Sequence, residues 1–436
     1  MVQLLVAGAA LLLGLAGTPL HTGWIDPLDW MLPGAVAIVL ILLLASRRGG
    51  PARRLEIVLC WALAAMPAMV FCLLAGPGRP WLATALLGAG LALVTVGSAQ
   101  ALSLRPTARG LAMVALLGGA ALAPHGMTAW SGVKNAPMDR PAIGVMAAIP
   151  LQGVPLGAAQ GLAPAEAIGL RSPLWQMLEA RFRPMALDAL DAGGLSGLDA
   201  LLLIQPRRLA PVELVALDGW VRGGGRAVIL ADPLLHWPDH RPLAHPARAP
   251  LTSLLDPLLS HWGLRLEPAG PASGDDAVER RWLSTGGLMQ LSGASRFTAQ
   301  TGGDEAAACV LRDEGLVAHC RVGRGMALLV ADADWIADPL WTLDPQDPEN
   351  RGAWTSDSVD LLDGWLRGVL PRFAWHGTWL ADRAALLQSL RFALALLLAL
   401  AMVAGLVARR PTPSRSNFET KQDQKRNKSE TKVDLA

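Results

Sequence analysis

The sequence predicts an α-helical membrane protein that carries a soluble α/β domain. Three observations support this. Apolar side chains make up 52% of the 436 residues, with 45 glycines besides, against only 17% charged residues; soluble domains carry about 25% charge. Mean hydropathy is +0.35. The apolar residues are concentrated in the first 130 positions and in one run near the C-terminus. Between them, short apolar runs alternate with amphipathic segments, the pattern of strands and covering helices.

A helix needs roughly 20 mostly apolar residues to cross a hydrocarbon core. Five N-terminal runs fit: 2–20, 30–46, 55–74, 81–102 and 111–130. A sixth, 390–408, lies near the C-terminus. The first run has no basic n-region and no A-x-A-like cleavage site, so it reads as a retained helix rather than a signal peptide. Trp24, Trp30, Trp81 and Trp130 stand at run ends, as interfacial aromatic belts do. Short loops rich in Arg stay on the cytoplasmic side. Arg47, Arg48, Arg53 and Arg54 fill one connection, Arg105 and Arg109 another, and Arg409 and Arg410 follow the last run. The expected order is therefore a five-helix membrane region (1–130), an external α/β domain (131–389), a C-terminal transmembrane helix (390–408) and a cytoplasmic tail (409–436). Lys421, Lys425, Lys428 and Lys432 lie in that polar tail. Its composition predicts disorder, serving either contact with anionic lipid or a cytoplasmic partner, or nothing beyond an extension.

Within the external block, 142–149 reads as a strand, 174–182 as a helix and 185–190 as a weaker strand. The run 198–205 (LDALLLIQ) is a strand of the buried, continuously apolar kind. A helical stripe follows over 210–222 and is closed by three glycines at 223–225. Next come a strand at 227–231 ending in Asp232-Pro233, a helix over 251–262 and a short strand at 264–266. Runs 306–311 and 316–322 form a hairpin around Asp313-Glu314-Gly315. A last buried strand, 326–331, ends in Asp332-Ala333-Asp334, and an amphipathic helix covers 357–369. Strands alternating with helices predict a parallel sheet covered on both faces.

The hairpin carries a cysteine expectation. With Glu314-Gly315 as a two-residue turn, counting outward sets Cys309 opposite Cys320. Opposed side chains are close enough for a disulfide, although this count makes them a hydrogen-bonded pair, the wider kind. A one-residue bulge would shift the register, leaving two small buried thiols.

The balance of 38 basic and 36 acidic residues leaves a net charge of +2, which argues against a nucleic-acid partner. Four cysteines exclude a disulfide scaffold. No G-x-x-x-x-G-K-[ST] occurs, so no nucleotide is cradled in the P-loop manner, and no G-x-S-x-G or G-x-C-x-G elbow follows a strand. No catalytic residue and no cofactor are assigned. The carboxylates at strand ends stand out. In open α/β sheets ligands bind beyond the carboxyl ends of strands, so Asp232, Asp332 and Asp334 are candidates to bind a sugar or peptide, or to hold a hard cation. Asp-Pro and Asp-x-Asp are equally ordinary turn chemistry. His236, Asp239, His240 and His245 follow in a Pro-rich loop, but their spacing matches no dense zinc motif and no metal is assigned to them.

The order of pieces carries a resemblance: LDALLLIQP, a helix, WVRGGGRAVILADP, then LLDPLLSHWGLRL, later GRGMALLVADADW, and finally SVDLLDGWL. It resembles the auxiliary components of bacterial ABC transporters, the gliding-motility-associated type, over about 140–371 and the anchoring helix. Five helices ahead of the domain depart from the family's usual membrane region. The resemblance implies a domain like a class I glutamine amidotransferase without its catalytic residues. It also implies a non-catalytic role in the inner membrane beside an ABC permease, a separate ATPase subunit and membrane lipid. The rival readings are a membrane-anchored hydrolase with an unrecognised nucleophile and a stand-alone structural envelope protein.

Overall fold

The computed structural model describes residues 2–45, 53–133, 140–152, 171–237, 241, 242, 245, 248–268, 278–293, 295–304, 307–374 and 376–408. Arg47, Arg48, Arg409, Arg410, Asp239, His240 and the lysine-rich tail lie outside them. The chain divides into two compact units, Met1–Ser131 with Trp375–Ala436, and Gly132–Ala374.

In the first unit, five helices among the described residues are long and apolar enough to cross a membrane: Pro27–Ala45, Arg54–Leu74, Trp81–Ala101, Pro106–Pro124 and Arg383–Val407. The first apolar run departs from expectation. Its helix, Val2–Leu15, has 14 residues and spans about 21 Å at 1.5 Å per residue, short of the roughly 30 Å core. Gly17 and Pro19 end it. Gly14 leaves room for the Trp30 indole, against which any Cβ would collide. Trp30 is itself 2% exposed, and its Nε1 donates to the Leu11 carbonyl at 3.1 Å. Trp30 is therefore not part of an interfacial belt: its polar edge finds its partner inside the bundle.

The last helix begins at Arg383 rather than 390. Just ahead of it, Thr378–Trp379 pairs antiparallel with Trp24–Ile25, and His376 Nδ1 lies 2.8 Å from Asp26 Oδ2. Residues 376–389, read from the sequence with the external domain, thus pack among the helices.

The second unit is built on a seven-stranded sheet: β1 (Ala142–Ala147), β2 (Arg183–Ala186), β3 (Ala200–Ile204), β4 (Arg226–Leu230), β5 (Ala307–Arg312), β6 (Val317–Val322) and β7 (Gly325–Val330), in the order β5-β6-β7-β4-β3-β1-β2. The run from β7 to β2 is parallel, while β5 and β6 add an antiparallel hairpin at one edge. The expected parallel sheet is therefore mixed. Central strands β3 and β4 are buried almost throughout, and alternate residues serve opposite faces. Leu202 and Val228 join one core with Trp175, Leu178 and Leu361. Leu201 and Ile229 join another with Leu217 and Val221. Each leucine so buried contributes roughly 1.5–3 kcal/mol.

Two sequence expectations change here. The helix over 251–262 contracts to Asp256–His261, because 251–255 crosses the end of β4 instead: the Leu235 amide donates to the Leu251 carbonyl and the Ser253 amide to that of Asp232. Composition predicts no element in the Gly/Asp/Arg-rich stretch between 266 and 306, yet it contains paired strands. Val278–Trp282 pairs with Leu288–Ser292, and Arg296–Ala299 with Leu264–Glu267.

Candidate functional site

β4 and β7 run parallel with Leu230 beside Val330, so the matching segments AVILAD (227–232) and ALLVAD (327–332) carry their terminal aspartates out of the sheet side by side. Asp334 follows two residues later. One carboxylate oxygen from each of Asp232, Asp332 and Asp334 lies within 4.8 Å of the others. The three side chains predicted as strand-end candidates are therefore brought together, but they point inward: their residues are 0%, 0% and 2% exposed.

Backbone amides converge on them. Asp232 accepts from Leu234 N at 2.8 Å and Ala333 N at 3.1 Å. Asp332 accepts from Asp334 N at 2.6 Å and Trp335 N at 3.1 Å through Oδ1, and from Ser292 N at 3.2 Å through Oδ2. Asp334 Oδ2 accepts from His236 N at 2.7 Å. The trio thereby ties together the loops after β4 and β7 and the end of Leu288–Ser292. Asp334 Oδ1 is buried with no hydrogen-bond partner among the described residues, and so is Ser295 Oγ, whose amide donates to the Ala331 carbonyl. Burial pushes Asp334 up to about 7. Burial, reinforced by its two acidic neighbours, holds Asp332 well above the usual carboxylate range, and burial raises Asp232 as well.

Gln205 completes this edge, and sequence reasoning missed it. It follows β3 with φ +41°, a left-handed conformation uncommon outside glycine. Its side chain holds that strain in place: Oε1 accepts from Asp232 N at 2.9 Å, and Nε2 donates to the Asp232 carbonyl at 2.9 Å and the Pro250 carbonyl at 3.0 Å. The only signal was a polar residue closing an apolar run before Pro206. Ser292 was also missed: its strand lies in the stretch where composition predicts no element. Its Oγ lies 3.1 Å from His236 Nδ1, and Gly293, at φ +70°, packs so closely on the His236 ring that a Cβ would collide with it. The carboxylates nearby take the backbone amide of His236, not its ring. The His245 amide donates to the Pro242 carbonyl.

The hairpin β5–β6 sets Cys309 opposite Cys320, and their sulfurs are bonded. Their Cα atoms are 3.9 Å apart, nearer the narrow, non-hydrogen-bonded spacing of about 4.5 Å than the wide one. The turn is not the simple two-residue kind: residues 313–316 bridge the ladder, with Asp313, Glu314 and Gly315 all at positive φ.

No curated protein matches the chain. Among solved structures, an exo-β-1,4-mannosidase (Op5Man5) from Opitutaceae bacterium strain TAV5 aligns over 52% of this chain and 35% of its own, at 15% identity and a TM-score of 0.25. A cold-adapted β-galactosidase from Rahnella sp. R3 aligns over 53% and 34%, at 15% identity and 0.26. A β-galactosidase from Bacillus circulans sp. alkalophilus aligns over 55% and 33%, at 11% identity and 0.27. The chain spans about a third of each of these structures, and likeness this low carries no activity across. Residues 140–273, which hold β1 to β4 and Asp232, match the family described as an ABC-type uncharacterized transport system, and the match supports an auxiliary component of an ABC-type transport system.

Proposed function

We propose that the chain is a non-catalytic auxiliary subunit of an ABC-type exporter in the bacterial inner membrane. In this reading both termini are cytoplasmic and the α/β domain is periplasmic. The domain, of the gliding-motility-associated, amidotransferase-like type, binds substrate, an envelope component or a partner subunit, and the apolar helices pack beside the permease. ATP hydrolysis belongs to a separate chain, because this sequence has no phosphate-binding loop.

The observation that carries the reading is the family match over 140–273. Gln205 supports the absence of catalysis: the turn after β3, where an α/β hydrolase presents its nucleophile, holds an amide locked onto backbone. The Cys309–Cys320 bond supports a periplasmic domain, since disulfides persist in oxidising compartments. In this reading Asp232, Asp332 and Asp334 shape the binding edge by holding its loops.

One observation favours a second reading, a membrane-anchored hydrolase: the Ser292–His236 contact at 3.1 Å is a nucleophile–base pair by distance. Among the described residues no carboxylate hydrogen-bonds its far ring nitrogen.

Affinity capture of the full chain from detergent-solubilised native membranes tests both readings. The expected result is co-purification of an ABC permease and its ATPase, with no esterase or amidase turnover. Hydrolysis by the captured protein that Ser292→Ala abolishes would replace the first reading with the second. Recovery of the chain alone would leave the transport assignment without its partners and overturn it.

A further inference from the structure

Three carboxylates, almost wholly buried and within 4.8 Å of one another, carry up to three negative charges. No salt bridge reaches them among the described residues. Amide donors offset part of that charge, but they leave Asp334 Oδ1 without a partner in a residue that is 2% exposed. Ser295 is 3% exposed and its Oγ has no partner either. Its amide donates to the carbonyl of Ala331, the residue before Asp332. An orphaned buried carboxylate oxygen within so concentrated an anionic charge describes the surroundings of a cation, because buried polar atoms are otherwise satisfied.

The ligand chemistry selects the ion. All the groups are oxygens, which suit hard cations and not zinc or copper. Calcium takes six to eight oxygen ligands at about 2.3–2.6 Å in flexible geometry, whereas magnesium demands a near-ideal octahedron at about 2.0–2.1 Å. Magnesium also retains several waters, which a site this buried does not accommodate; calcium accepts an irregular cage of carboxylate and other protein oxygens.

We propose that Asp232, Asp332 and Asp334 hold a calcium ion at the carboxyl edge of the sheet. The ion would fasten the loops after β4 and β7 to the end of Leu288–Ser292, making the rigidity of that edge depend on calcium. This inference is independent of any transport role.

The test uses the full chain in detergent at neutral pH after removal of divalent ions with EDTA. Terbium is the luminescent calcium probe, sensitised by Trp335, the residue after Asp334. The expected result is saturable emission that calcium displaces, with magnesium weaker by about tenfold or more. Calcium should also raise the midpoint of thermal unfolding of the wild-type chain. Asp334→Asn should weaken binding by about tenfold or more. If that variant does not fold, the wild-type thermal shift decides alone. No calcium-displaceable emission and no thermal shift up to about 10 mM calcium, the weak end of protein calcium sites, would overturn the proposal, and so would wild-type affinity in a folded Asp334→Asn chain. Equal displacement by magnesium would overturn the assignment to calcium.

Discussion

Glu213 is a buried and heavily engaged carboxylate of the α/β unit. It accepts from both terminal nitrogens of Arg207, at 2.7 and 3.0 Å, from Ala210 N at 2.7 Å and from Leu190 N at 3.1 Å. The Arg207 hydrogen bonds, against the cost of burial, hold its carboxyl down at about 2. A carboxyl whose folded pKa lies below its unfolded value contributes stability that is present above the unfolded value, about 4.3, and is lost as pH falls toward the folded one. Stability from this group should therefore be level from neutral pH down to about 4.3 and decline below it. Glu213→Ala, which strands the Leu190 and Ala210 amides, should lower stability by about 2 kcal/mol at neutral pH and remove that acid limb. Denaturant unfolding at neutral pH and at about pH 3 measures both; equal acid losses in wild type and variant would refute the assignment. At this scale the aspartates were legible, since AVILAD and ALLVAD end alike. Gln205 and Ser292 were not, because a strained turn and a cross-loop contact leave no mark on local composition.

The central strands were legible as elements because a strand buried on both faces must be apolar at every position, as 200–204 and 226–230 nearly are. Val278–Trp282, sequence VERRW, escaped the same logic: it is partly exposed and carries three charges. The packing of elements has its own critical points. A Cβ on Gly325, at the start of β7, would press on the backbone carbonyls of Val221 and Gly225, and backbone cannot rotate away as a side chain can. Gly325→Ala should therefore destabilise the unit by about 3 kcal/mol. Gly219→Ala, on the helix Pro211–Arg222 with nothing within 4 Å, should be neutral or stabilising by roughly 0.5–1 kcal/mol. Thermal unfolding of the two variants side by side checks the pair; similar midpoints would show that the β7 backbone shifts freely.

For the whole molecule, the expected topology follows from arginine placement alone. A reporter active only in the cytoplasm should work when fused after Arg54 or Arg410 and fail when inserted near Gly270; activity at Gly270 would reverse the orientation. The sequence by itself determined that this protein has apolar helices of membrane-crossing length and an α/β domain, since both rest on local composition and periodicity. It also set Cys309 opposite Cys320, because register in a short hairpin follows from counting along the chain. Only the tertiary structure decided that the first helix stops at Leu15, that Trp30 is buried, that 376–389 packs with the helices, and that Asp232, Asp332 and Asp334 share one buried site. Each of those depends on groups tens or hundreds of residues apart, and how such groups meet is set by the global packing of the chain, which no local pattern encodes.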